Sequence, residues 1–132
     1  MIELALVLLR IRGTNSYVLQ RRDLQTKVAP GKLGCFGGHV EPGEDPFAAL
    51  KREIGEETSL DADSLDYELI RRQEVDNPYD PAQPFLAHVY RADIADDQFE
   101  VYEGQYAETY TIDELKRRDD LSPSMSDFLP FV

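Results

Sequence analysis

Apolar and polar positions along the chain fall into short blocks with clear punctuation. Ile2–Leu9 is an apolar run interrupted only by Glu3, and reads as a buried first strand. Tyr17–Gln20 reads as a second strand, joined to the first through the turn sequence Gly13-Thr14-Asn15-Ser16. Lys27 to Gly34 carries Pro30, Gly31 and Gly34 and reads as a loop. Asp45-Pro46 then forms a helix start, with Asp as cap and Pro at the first helical position. The helix extends to about Thr58. At about 100° per residue, Phe47, Leu50 and Ile54 share a narrow arc, which is its buried stripe. Ala49 falls on the same face as Glu53, Glu56 and Glu57, one turn earlier, and takes up little space there.

Beyond the helix, Asp61–Asp66 reads as a linker, and Tyr67–Gln73 and Phe85–Ala92 as strands. The proline-rich stretch Asp76–Pro81 between them is a loop. Phe99–Tyr102 reads as a further short strand. Thr111 and Glu114 fit a capping box that opens a helix through about Arg118. Ser124–Phe131 reads as a short final helix with Phe128 and Leu129 inward. Strands around an early helix, with more helix late, predict a mixed α/β fold with helices on two faces of a sheet.

Length and composition narrow the class. At 132 residues, residues 1–132 are expected to form one domain, and 42% hydrophobic residues suit a globular chain. Met1–Leu9 is too short to span a bilayer and lacks a basic leader, so a membrane partner is not expected and cytoplasm is the default. Cys35 is the only cysteine, which excludes an internal disulfide. It reads as a small buried filler, although its place beside a glycine pair leaves it near any ligand bound there.

Net charge is −12, and it is unevenly spread. Residues 1–38 carry +4 and residues 39–132 carry −16. So acidic a remainder argues against tracking a long nucleic acid. The basic segment holds Arg21 and Arg22, at the end of a predicted strand, and these are the candidate phosphate contacts.

Glu53, Glu56 and Glu57 lie at i, i+3 and i+4 and share one helix face. Like charges so placed repel, and two of them stand near the helix C-terminus, where the helix dipole disfavours negative charge. A hard divalent cation reverses that penalty, and oxygen ligands suit Mg2+. A solvated acidic face is the bland alternative. Against it stand Gly38, Glu44 and Arg52, which accompany the carboxylates at fixed spacing.

Gly38 to Leu60, GHVEPGEDPFAALKREIGEETSL, resembles the Nudix box G-x5-E-x7-R-E-U-x-E-E-x-G-U, with Ile54 and Leu60 at the bulky aliphatic positions. The departure is Ser59, where the family has glycine. The resemblance implies an α/β/α sandwich with a mixed central sheet. It also implies a hydrolase of phosphoanhydrides in nucleoside diphosphates linked to another group. It implies Mg2+, with Mn2+ as a substitute, held by Glu53, Glu56, Glu57 and the Gly38 carbonyl. Arg52 is implied as the support that directs a glutamate, and Glu44 as orienting the loop. The general base is implied to be a box glutamate, Glu53, or one on a later loop, Glu103.

The expected substrate-binding set is Arg21, Arg22, Phe36, Gly37, Glu44 and Tyr79. Phe36, Tyr79, Phe85 and Tyr106 are the aromatics near loops that a base could stack on, and each also reads as a core or loop anchor. His39 and His88 read as ordinary structural histidines. Phe36-Gly37-Gly38 and the small size look like the MutT-type enzymes, which cleave canonical or oxidised nucleoside triphosphates to monophosphate and pyrophosphate. ADP-ribose and nucleotide-sugar pyrophosphatases are the close alternative. A non-catalytic Nudix sensor is the alternative of another class, although such proteins usually lose box carboxylates. The partner is a small-molecule nucleotide, and the chain is a monomer or homodimer.

Overall fold

The computed structural model describes residues 1–25, 29–102 and 106–132. Its centre is strand β1 (Glu3–Ile11). Leu4, Leu6 and Leu8 face one side of the sheet, while Ala5, Val7 and Leu9 face the other. Both sides are covered, so the strand reads as a continuous apolar run rather than an alternation.

Strand β2 (Ser16–Arg21) pairs antiparallel with the far end of β1 at Leu9↔Val18 and Arg10↔Tyr17. Strands β3 (Leu33–Gly34) and β4 (Phe36–His39) follow the intervening segment. β3 pairs with β2, and β4 pairs with the near end of β1 from Leu4↔His39 to Val7↔Phe36. Helix α1 (Pro46–Glu57) comes next. Strands β5 (Asp66–Val75) and β6 (Phe85–Ile94) are antiparallel to each other, and β6 runs parallel to β1 along its whole length. Strand β7 (Tyr106–Thr111) closes the other side by pairing with β2. Helices α2 (Ile112–Lys116) and α3 (Pro123–Phe128) complete the chain, with a 3-10 turn at Leu129–Phe131.

The result is a mixed seven-stranded sheet between two helical layers. α1 buries Ala49, Leu50 and Ile54 against Ala5, Val7, Leu9 and Phe36. On the opposite face Leu115, Met125, Phe128 and Leu129 pack on Leu4, Leu6, Leu8 and Val89.

Several expectations change. The loop read over Lys27–Gly34 ends in a strand, because Leu33 and Gly34 hydrogen-bond to β2; its Lys27 and neighbours 26 and 28 lie outside the described residues. The glycine pair Gly37-Gly38 lies within β4. Glycine-rich segments lack strand propensity, and pairing with β1 overrides that. Phe99–Tyr102 is no regular strand: Val101 makes a single bridge to Thr58. Tyr106–Thr111 is a strand that the reading passed over, although its β-formers Tyr, Thr, Tyr and Thr signal one. The Thr111–Glu114 capping box is present, and the helix it opens ends at Lys116.

Arg21 is placed otherwise than a phosphate contact requires. Its guanidinium forms paired bonds with Glu108 on β7 at 2.7 and 2.8 Å and reaches Asp120 at 2.7 Å. Only 15% of the side chain is exposed. Arg118 grips Asp120 with two bonds and lies over the Tyr110 ring. The network ties β2, β7 and the segment leading into α3 together.

Exposed ion pairs contribute little, whereas removing one partner of a partly buried pair leaves an uncompensated charge. Arg21→Met should therefore lower unfolding free energy by about 2 kcal/mol in urea titration. Arg12→Met, which breaks a 3.6 Å pair with Asp66 at 62% and 87% exposure, should cost less than about 0.5 kcal/mol. Equal losses in the two variants would show the network to be ornamental.

Candidate active site

α1 begins as its residues dictate: Asp45 caps it by accepting from the amides of Phe47 and Ala48, and Pro46 opens it. Two assignments along the helix change. Ala49 is fully buried against the sheet rather than lying on the acidic face. Phe47 sits at the border of the stripe, edge-on to Tyr67 at 4.9 Å and under Lys51.

The helix ends without a left-handed glycine. Thr58 turns the backbone extended (φ −140°, ψ 166°), and its hydroxyl donates to the Ile54 carbonyl at 2.8 Å. The Ser59 amide then donates to the Glu100 carbonyl at 3.0 Å, and the Ser59 hydroxyl accepts from the Glu100 amide at 2.9 Å. The residue that replaces the family glycine is thus part of a different stop signal, one that serine satisfies.

The acidic face of α1 lies over β4, and β4 is built to receive it. Gly37 has φ +128°, and a Cβ there would stand 2.1 Å from the Ala5 carbonyl oxygen. A Cβ on Gly38 would stand 2.8 Å from the Glu53 carboxyl. Glycine at 37 is required by the β1 backbone, and glycine at 38 leaves the Glu53 carboxyl its place. The Gly37 amide donates to Glu57 Oε1 at 2.9 Å, and Gln20 Nε2 donates to Glu57 Oε2 at 3.2 Å.

Arg52 is the hub of the other carboxylates. It holds Glu44 with two bonds at 2.9 and 3.0 Å and donates to Glu53 at 3.1 Å. It reaches Glu56 at 3.4 Å and donates to the His39 carbonyl at 3.2 Å. Glu44 in turn accepts from the Glu41 amide, which shapes the loop before the helix. These contacts separate the glutamates electrostatically. The Arg52 bonds hold Glu44 down at about 2. Burial pushes Glu57 up to about 7, further raised by the charge of Glu53, and burial also raises Glu53 against the pull of Arg52.

Beside this face lies a pocket lined by Arg22, Cys35, Gly37, Gly38, His39, Asp76, Tyr79 and Phe85. Its walls are largely apolar. Tyr79 is 59% exposed at the rim, and His39 packs edge-on to Phe85 at 5.7 Å. Burial raises the Cys35 thiol well above its ordinary value, so it stays protonated.

The structure thus brings together Gly37, Gly38, Glu44, Arg52, Glu53, Glu56 and Glu57, with Arg22 and Tyr79 on the adjoining pocket. Two candidates are placed elsewhere. Phe36 is 0% exposed and packs edge-on to Phe99 at 6.1 Å inside the core, so it offers no face to a base. Arg21 is committed to Glu108 and Asp120. Glu103 lies outside the described residues. Tyr106 is exposed on β7. His88 is buried, with Glu3 at 2.7 Å. His39, read as structural, lines the pocket. Gln20 and Asp76 were missed. For Gln20 the sequence offered no local signal: only the tertiary structure shows this strand-end amide to be 1% exposed.

Among the described residues, no three His, Cys, Asp or Glu side chains already stand at the spacing of a closed metal site. The donors present nevertheless suit a hard cation: they are oxygens, and two carboxylates, Glu53 and Glu57, are held at raised proton affinity by burial and by a neighbouring glutamate. That fits the open, water-completed coordination of Mg2+.

The family model of the NUDIX domain matches residues 2–132. No curated protein matches the chain significantly. Among solved structures, the chain is similar to a protein from Deinococcus radiodurans, at TM-score 0.81 and 19% identity over 98% of this chain and 81% of that one. It is similar to the MutT protein from Methanosarcina mazei Go1, at 0.79 and 20% over 98% and 90%. It is also similar to the E. coli dihydroneopterin triphosphate pyrophosphohydrolase, at 0.75 and 18% over 97% and 90%. At these identities the likeness is one of fold.

Two outcomes follow from the geometry. Gly38→Ala should fold but displace Glu53, whereas Gly43→Ala, at φ +78° with open space around it, should cost only about 1 kcal/mol and leave the site intact. Mn2+ titration of both variants checks this, and equal affinities would count against the packing argument.

Glu57 binds its proton more tightly folded (about 7) than at its ordinary value of 4.5. Its contribution is therefore greatest below 4.5 and is lost as pH rises through about 7. Metal-free protein in chelator should gain about 2 kcal/mol between pH 7.5 and pH 5.5, and Glu57→Gln should flatten that gain. A thermal melt series with no such slope, or one unchanged in the variant, rejects the assignment.

Proposed function

The chain belongs to the NUDIX family of hydrolases, and from that premise we propose that it cleaves the phosphoanhydride of nucleoside triphosphates, releasing nucleoside monophosphate and pyrophosphate. The observation that carries this reading is the adjacency of two chemically different regions. The carboxylate face of α1 adjoins a pocket with apolar and aromatic walls, across Gly37 and Gly38. A nucleoside triphosphate is divided in the same way, into a polyanionic chain and a flat base. Arg22, which lines the pocket, is the residue assigned to the phosphates in this reading. Tyr79 and Phe85 supply the faces for the base. Two proteins of like fold bear names that fit triphosphate chemistry, MutT and a dihydroneopterin triphosphate pyrophosphohydrolase.

In this reading Glu53, Glu56, Glu57 and the Gly38 carbonyl hold Mg2+, and Mn2+ can replace it. When bound, the cation supplies charge neutralisation at the phosphate oxygens and acidifies the attacking water. Arg52 keeps Glu53 and Glu44 in place through the bonds described above. Glu53 is the box candidate for accepting the water proton, since burial raises its basicity. The substrate is a small nucleotide acted on in the cytoplasm, by a chain working as monomer or homodimer.

The test is a product-release assay over canonical and oxidised nucleoside triphosphates, ADP-ribose, nucleotide sugars and dinucleoside polyphosphates, with Mg2+ and with Mn2+. Triphosphates should be turned over fastest, releasing pyrophosphate. Glu53→Gln with Glu57→Gln should reduce kcat/KM by more than the ~100-fold that loss of a mere supporting residue reaches. Preference for ADP-ribose or a nucleotide sugar would reassign the substrate. A folded protein that binds nucleotide and turns over nothing would favour a sensor.

A further inference from the structure

The carboxylates of the site are held by two unlike supports. The guanidinium of Arg52 is shared among Glu44, Glu53 and Glu56. Glu57 is held by neutral donors. Its Oε1 accepts from the Gly37 amide at 2.9 Å, and its Oε2 accepts from Gln20 Nε2 at 3.2 Å. Gln20 stands on β2, 37 residues away in sequence. Its other amide hydrogen goes to the Cys35 carbonyl at 2.8 Å, immediately before β4. One side chain thus links β2, the start of β4 and the last acidic residue of α1.

Packing does not account for an amide at this place. Gln20 is 1% exposed, and its Oε1 is buried with no hydrogen-bond partner among the described residues. A half-satisfied buried amide is unfavourable, and an apolar side chain of similar volume would fill the space without that penalty. The orientation of the amide is also determined. Rotated by half a turn, its oxygen would face the Cys35 carbonyl and the Glu57 carboxylate, two acceptors. The nitrogen is therefore the atom that the site uses.

We infer that Gln20 is the positioning residue for Glu57, fixing the direction of its carboxylate for the cation without itself adding positive charge. The inference rests on the function proposed above. A lysine or arginine here would orient Glu57 equally well but would neutralise the charge the cation needs. An amide orients without neutralising. With one oxygen pinned from the strand backbone and the other from a side chain, a flexible glutamate is held as a rigid ligand.

The experiment measures Mn2+ binding alone, without substrate, by the resonance of the free ion, with metal-free melting temperature as the check on folding. Gln20→Met should weaken Mn2+ binding by ~10-fold or more, as loss of a ligand's support does. In a Glu57→Gln background the same substitution should change affinity by less than ~2-fold, because its effect runs through Glu57. Affinity of Gln20→Met within ~2-fold of the parent, or equal losses in both backgrounds, overturns the inference. If Gln20→Met does not fold, Gln20→Asn is read in the same way, since it keeps the amide but draws it back from Glu57. A parent protein that binds no Mn2+ overturns the functional reading and this inference with it. A parent that binds, beside variants that bind equally well, overturns the inference alone.

Discussion

The candidate site depends on how closely β4 lies to strand β1 on one side and to the Glu53 carboxyl of helix α1 on the other, and both approaches need a position without a Cβ. At Gly37 a side chain would collide with the backbone of β1. At Gly38 it would occupy the space of the Glu53 carboxyl. The same two residues let the strand contribute backbone to the site, with the Gly37 amide bonded to Glu57. Sheet, helix and carboxylates are thereby fixed by one steric condition.

That closeness carries an electrostatic cost, which the fold distributes rather than removes. Acidic groups brought together and partly buried resist ionisation, and Glu53 and Glu57 show it in raised proton affinity. Arg52 relieves Glu44 almost completely and Glu53 only in part. Glu57 receives neutral hydrogen bonds instead. The supports run from a guanidinium-bound carboxylate at the loop to one held by neutral hydrogen bonds at the helix end. A hydrolase that recruits a cation with its substrate has a use for such an unfinished site.

The placement of arginines illustrates how tertiary contact sorts residues that look equivalent in sequence. Arg21 is the last residue of β2 and Arg22 the first beyond it, and their side chains meet different surroundings. Arg21 meets Glu108 and Asp120 and becomes part of the scaffold. Arg22 lines the pocket. Phe36 was sorted in the same way, inward to Phe99 rather than outward to a ligand.

The sequence by itself determined the helix that carries the glutamates, its cap and start, the central buried strand, and the family. These are encoded in short-range patterns: a capping Asp before Pro, a 3.6-residue period, an apolar run, and a motif of fixed spacing. Tertiary structure alone decided what depends on partners distant in the chain. β3 and β4 exist as strands because β2 and β1 pair with them, against the local preference of glycine. The helix stop at Thr58 and Ser59 needs Glu100 to complete it. Gln20 reaches Glu57 only after β2 and β4 have both paired with β1. No local pattern announces such contacts, because the energy that favours them is realised only when the remote segment arrives.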